Sequence, residues 1–166
     1  MKDELKKAPL IHCDESPFTM SGEKDANDPQ SKNYMWVFHS PGIQDSKKIY
    51  LYEYDNGSRS AAVIDRYLEG YKGILVSDGY ASYHTLDRKH DDLKVAGCWV
   101  HCRRRFDEAL KLINRSHQKE SEAFLLMKQI QAIYREEGKL KDLSSDERLK
   151  QRQVGIKPLV DAFFAY

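Results

Sequence analysis

Gly73-Ile74-Leu75-Val76-Ser77-Asp78-Gly79-Tyr80 is the stretch on which the fold reading turns. A short apolar run between turn formers has the pattern of a strand buried on both faces, the kind found in parallel sheets. Just before it, Val63, Ile64, Tyr67 and Leu68 recur at helical spacing and predict a helix over 61–69, ended by Gly70 and Gly73. Just after it, a short helix is predicted over 79–86, and 93–98 repeats the buried-strand pattern. Strand, helix, strand in succession implies connection through crossover helices. Further upstream the pattern changes. Residues 9–14 read as a strand ended by Glu15-Ser16-Pro17. The aromatic and β-branched runs 34–39 and 48–54, with Pro41-Gly42 between them, read as an antiparallel pair. Gly22, Asn27, Asp28-Pro29 and Asn33 mark 21–32 as a loop, a hairpin excursion. Asp55-Asn56-Gly57-Ser58 is a turn, and Ser58 or Ser60 caps the helix that follows.

From Trp99 onward the period is helical. Trp99, Cys102, Arg103, Phe106 and Leu110 share one face, and His101, Arg104, Arg105, Glu108 and Lys111 share the other. A second helix over 120–137 is stopped by Gly138. Ser144 and Glu147 form a capping box that opens a third helix, which Gly155 and Pro158 break or kink. The expected fold class is α/β. A mixed sheet of three antiparallel strands continues into two strands with crossover helices, and a helical C-terminal segment follows. The expected division is 1–116 and 117–166.

Length and composition bound the function. The 166 residues, 40% apolar and 32% charged, are ordinary for a globular domain. No stretch approaches the roughly 20 apolar residues of a membrane span. Met1-Lys2-Asp3-Glu4-Leu5-Lys6-Lys7 lacks the apolar run of a secretory signal. Cys13, Cys98 and Cys102 are too few for a disulfide framework and suit a reducing compartment. Residues 1–98 carry 13 Lys/Arg and 16 Asp/Glu, a net of −3, whereas 99–166 carry 14 and 10, a net of +4. An acidic part beside a basic part suits carboxylates set near an anionic partner.

Asp14 and Asp78 stand at the C-terminal ends of predicted strands. If those strands are parallel neighbours, the two carboxylates converge on one edge, held rigidly as a metal site requires. Magnesium and manganese take oxygen ligands, and a pair of such ions clamps both oxygens of a phosphoryl transfer. Read from spacing alone, the same residues also serve as turn and cap formers.

Three segments occur in order: His12-Cys13-Asp14-Glu15-Ser16-Pro17, then Ser77-Asp78-Gly79-Tyr80, then Cys98-Trp99-Val100-His101-Cys102-Arg103-Arg104-Arg105-Phe106. Together they resemble the transposase family of insertion sequence 66, with its Asp-Glu-Ser/Thr-Pro, Asp-Gly-Tyr and Cys-Trp-x-His-x-Arg-Arg-x-Phe segments at similar separations. The resemblance covers most of the chain. It implies a ribonuclease H-like catalytic domain and the chemistry of DDE transposases: metal-assisted hydrolysis at the transposon ends, then attack of the freed 3′-hydroxyl on target DNA. It implies Asp14 as the first catalytic, metal-binding acid and Asp78 as the second, with two Mg²⁺ or Mn²⁺ ions in the complete enzyme. In the family the third acid is a glutamate on a later helix, after an asparagine pair, and the 166 residues hold no such segment. The expectation is a transposase fragment, inactive by itself. The alternative is a non-catalytic remnant or regulatory fragment that binds DNA or a full-length transposase. A different ribonuclease H-like nuclease is a third reading, and the Cys-Trp-x-His-x-Arg-Arg segment argues against it. The implied partners are DNA, at transposon ends and target, and a second copy or a full-length transposase, with no membrane. The implied location is the bacterial cytoplasm, associated with the nucleoid.

The resemblance also sets His101 close to a phosphate or an unpaired base, with Cys98 packed beneath. From spacing, Cys98, His101 and Cys102 read alternatively as crowded zinc ligands, or as a packed thiol beside a solvated imidazole. Arg104 and Arg105 read as phosphate contacts, or as a solvated face with Glu108 pairing to Arg104. Arg103 is expected toward the core, its stem covering apolar surface. Tyr80 and Tyr83 are expected to pack rather than stack on bases, and Glu15 to point to solvent rather than orient a metal-bound water.

Overall fold

Alternation governs the strand Leu10–Phe18 (β1), where Ile11, Cys13 and Glu15 are buried and the residues between them are not. The same period buries Trp36, Phe38 and Ser40 of Asn33–Pro41 (β2), and Ile49 and Leu51 of Lys48–Tyr54 (β3). In this computed structural model, residues 1–18, 32–43 and 46–166 are described; the loop expected over 21–32 falls largely outside them. Gly73–Ser77 (β4) and Leu93–Gly97 (β5) complete one five-stranded sheet in the order β3-β2-β1-β4-β5. The first three strands pair antiparallel, while β1 with β4 and β4 with β5 pair parallel. The mixed α/β sheet is as expected.

Helices α1 (Lys2–Leu5), α2 (Ala61–Leu68) and α3 (Ala81–Lys89) belong to the same unit, Met1–Cys98. Ser60 caps α2, its hydroxyl accepting from the Ala62 N–H at 3.2 Å. Val63, Ile64 and Leu68 of α2, with Tyr83 and Leu86 of α3, pack with Ile11, Trp36, Phe38 and Leu75 of the sheet into one core. The Trp36 indole N–H donates to the Ser58 carbonyl at 2.9 Å, so the polar end of the largest buried side chain is satisfied. At Gly73 a Cβ would stand 2.6 Å from the Tyr71 hydroxyl and 2.8 Å from the Pro9 carbonyl, so only glycine starts β4 there. Tyr50, Tyr52, Tyr54 and Ile74 lie on the other face of the sheet and are exposed, so β4 is covered on one face only and not on both as its apolar run predicts.

One expectation is corrected here. Strand β1 does not stop at Glu15-Ser16-Pro17 but runs to Phe18, with Pro17 opposite Tyr34. Its pairing with β4 ends at His12 opposite Val76, so this end of β1 has β2 on one side only. Proline is accommodated where a strand edge is open.

The second unit, Trp99–Tyr166, is helical. It comprises α4 (Trp99–Lys111), a 3₁₀ turn (Gln118–Glu120), α5 (Glu122–Gly138), α6 (Ser145–Gln151) and α7 (Lys157–Ala165). Ile130, Ile133, Ile156 and Phe163 form its core, with Trp99, Cys102 and Phe106 of α4 packed against it. The capping box is present: the Glu147 N–H donates to the Ser144 hydroxyl at 3.3 Å, and the Ser144 N–H donates to the Glu147 carboxylate at 3.2 Å. The break expected at Gly155 and Pro158 takes the form of a π-helical segment, Arg152–Ile156, between α6 and α7. This segment and α5 border an apolar hollow of about 480 Å³ lined in part by Trp99, Ile133, Ile156 and Val160.

Candidate functional site

The parallel register of β1 and β4 sets the geometry. His12 lies opposite Val76, and Asp14 and Asp78 each follow two residues later. Asp14 lies within β1 and Asp78 directly follows β4, each two residues past the last pair of that parallel register. Asp14 is exposed and Asp78 half-buried. Each is oriented by a neighbouring backbone N–H. The Glu15 N–H donates to Asp14 Oδ1 at 3.0 Å, and the Tyr80 N–H donates to Asp78 Oδ1 at 2.9 Å. The second bond closes a side-chain turn, so Asp78 also plays the turn-forming part expected of it.

The opposite face holds a polar network inside the core. Burial pushes the Cys13 thiol far up, the Tyr83 hydroxyl pulls it down, and the charges of Glu15, Asp14 and Asp78 raise it further. The thiol is therefore an inert packing group. The Tyr83 hydroxyl donates to Glu15 Oε2 at 2.9 Å and lies 3.5 Å from Cys13 Sγ. Burial raises the Tyr83 phenol out of any working range, with Cys13 and Glu15 adding to it, so Tyr83 acts as a hydrogen-bond donor.

Glu15 corrects an expectation. It does not point to solvent: its side chain is 1% exposed and meets Arg59, with Nε at 2.7 Å and Nη2 at 2.5 Å from Oε1. The physical reason is the pleat. Glu15 is two residues past Cys13 and four past Ile11, so it points to the covered face. Burial lowers the Arg59 pKa, but the Glu15 carboxylate outweighs it and holds the guanidinium above its ordinary value. The guanidinium also lies over the Tyr80 ring at 4.2 Å and the Tyr34 ring at 5.2 Å. Sequence reasoning missed Arg59 altogether. It sits in the Asn56-Gly57-Ser58-Arg59-Ser60 turn, where a single cation has no period to betray its partner. The alternation Ile11, Cys13, Glu15 was the signal that could have found its carboxylate. Tyr83 packs as expected, fully buried and edge-on to Trp36 at 6.5 Å.

His101, Arg104 and Arg105 stand on α4, in the second unit. Arg104 and Arg105 are exposed and His101 is half-buried. Arg103 is exposed too, against the expectation that it turns toward the core: Trp99, Cys102 and Phe106 alone fill that stripe. The Cys102 thiol is pushed up by burial, as befits a packing residue. The crowded zinc reading does not hold either. Among the described residues, no group of three or more His, Cys, Asp or Glu stands close enough to hold a metal ion. Among the same residues, no helix is long and apolar enough to cross a membrane.

Comparison with known proteins bears on the whole chain. The model of the Transposase IS66 family matches residues 1–166. "Uncharacterized protein y4qI" of Sinorhizobium fredii (strain NBRC 101917 / NGR234) is 25% identical over 171 residues, covering 98% of this chain and 30% of that protein. "Uncharacterized protein y4jD" of the same strain is 31% identical over 108 residues, covering 62% of this chain and 20% of that protein. The chain thus spans less than a third of the length of these relatives. No solved structure matches it. The family match runs from the first residue to the last, through all three of the sequence segments singled out above, and the chain belongs to the transposase IS66 family.

Proposed function

We propose that this chain is part of the catalytic domain of a DDE transposase, and that Asp14 and Asp78 are two of its catalytic acids. One observation carries the reading: β1 pairs parallel with β4, His12 opposite Val76, and an aspartate follows two residues later in each segment. The sheet order β3-β2-β1-β4-β5, antiparallel in one half and parallel in the other, supports a ribonuclease H-like fold for the part up to about residue 116, with 117–166 as a helical extension.

The donor chemistry fits a hard divalent cation. Magnesium is commonly held by one or two carboxylates, with waters and substrate phosphates filling the other positions. Asp14 and Asp78 would hold Mg²⁺ or Mn²⁺ in the complete protein, two ions with the third acid. When bound, such ions activate a nucleophilic oxygen and stabilise the leaving oxygen of a phosphodiester. The chain's own contribution is orientation. The Glu15 and Tyr80 amides fix one oxygen of each acid, and the covered side of the sheet keeps the strand ends rigid.

DNA is the partner of this reading, at transposon ends and target. His101, Arg104 and Arg105 are its DNA contacts, since guanidinium groups bind phosphate bidentately. Bacterial cytoplasm and nucleoid association, and assembly with a second copy or a full-length transposase, belong to the same reading.

The test is a titration of the chain with Mn²⁺, followed by the electron paramagnetic resonance of the free ion. Weak binding in the millimolar range is expected. Asp14→Asn and Asp78→Asn should each abolish it, and undiminished binding in both variants would sink the assignment.

A further inference from the structure

We propose that Arg59 is a positioning residue for the two acids, a single guanidinium that ties β1 at Glu15 to the turn after β4 and so sets the separation of Asp14 and Asp78. The inference rests on the reading of those aspartates as a cation site. Its basis is which atoms the guanidinium meets. The Glu15 carboxylate takes two of its N–H groups at 2.7 and 2.5 Å, and Glu15 is the residue whose amide orients Asp14. The Tyr80 ring lies 4.2 Å from its centre, and Tyr80 is the residue whose amide orients Asp78. The side chain therefore touches both residues that hold the acids. Tyr83 reinforces the tie from α3 by donating to the second oxygen of Glu15 at 2.9 Å.

The chemistry suits arginine specifically. A planar fork bonds a carboxylate in its plane and stacks an aromatic ring on its face, which a lysine ammonium cannot do at once. The tie spans 44 residues between Glu15 and Arg59 and a further stretch to Tyr80, so it joins pieces that the chain itself leaves far apart. Groups that orient metal ligands from behind typically change metal affinity by about 10–100-fold when removed.

The experiment uses the full chain and three variants. Arg59→Ala leaves a buried carboxylate without its cation and threatens the fold itself, so Arg59→Lys and Tyr80→Leu are used. Ile64→Val, in α2 and fully buried, controls for general loosening. Two quantities are read: amide hydrogen exchange at residues 15 and 80, and Mn²⁺ affinity. In Arg59→Lys both amides should exchange about tenfold faster or more, together, and Mn²⁺ should bind about tenfold more weakly. Tyr80→Leu keeps the ion pair and should also weaken Mn²⁺ binding. Ile64→Val should move neither amide selectively. The tie is overturned if Arg59→Lys accelerates residue 15 alone, or if Ile64→Val reproduces its effects. A wild-type chain that binds no Mn²⁺ would defeat the cation reading, while paired acceleration of the two amides would still establish the tie.

Discussion

A carboxylate–guanidinium pair occurs in each of the two units, and they differ in almost every respect. Glu15–Arg59 belongs to the sheet unit, with the glutamate side chain 1% and the arginine 40% exposed. Glu137–Arg152 belongs to the helical unit, with side chains 37% and 47% exposed. The first joins a strand to a turn 44 residues away, whereas the second joins a helix to a π-helical segment 15 residues on. Burial decides what each pair is worth. A pair in solvent gains little, because water screens it and two long side chains lose freedom. Removing one partner of a buried pair leaves a charge without compensation and destabilises strongly. The sheet unit is thus held by long-range contacts around a buried polar network. The helical unit is held by local caps and an apolar stripe, with its charges at the surface.

The contrast is broken or sharpened by four measurements of urea unfolding. The largest effect is expected from Arg59→Ala, a loss of about 3 kcal/mol, at the low end for a buried pair because the guanidinium keeps some water. The double variant Glu15→Leu with Arg59→Met should recover most of that loss, which assigns it to the stranded charge. A loss from Arg59→Ala as small as that of a surface pair would erase the distinction. Next is Ser144→Ala, which removes the hydroxyl arm of the capping box and should cost about 1 kcal/mol. An unchanged midpoint would mean that tertiary packing, not the cap, starts α6. Arg152→Ala should cost about 0.5 kcal/mol or less, and added salt should reduce even that. A larger, salt-insensitive loss would make the helical pair the equal of the buried one.

The smallest effect is one of pH. Burial holds the His39 imidazole below its ordinary value, with His12 and Lys48 adding to it, and its Nε2 is buried without a hydrogen-bond partner among the described residues. The unfolded chain therefore takes up the proton more readily than the folded one. This contribution to stability is complete above a pH of about 6.5 and declines as the pH falls below it. His39→Phe keeps the ring stack on Tyr50, at 4.2 Å in the native protein, and should flatten that decline. His12, also lowered by burial, leaves a residual slope. An identical slope in the variant would remove His39 from the account.

Much of this molecule was legible residue by residue. The apolar run at Ile74-Leu75-Val76 announced β4, helical spacing announced α2 and α4, and Ser144 with Glu147 announced the start of α6. Such signals are local: a period or a cap lies within a few residues of what it determines. Glu15 departs from its expected place because the alternation of Ile11 and Cys13 continues through it, and Arg103 because helical spacing near a stripe's border places a residue on either side.

By itself, then, the sequence determined the kinds of elements, most of their ends, and membership of a family through three ordered segments. Only the tertiary structure decided that β1 extends through Pro17, that Glu15 is neutralised by Arg59, and that one guanidinium touches the neighbours of both acids. The reason is separation along the chain. A backbone period acts over a few residues, whereas a salt bridge across 44 residues leaves no local mark and exists only once the sheet has closed around it.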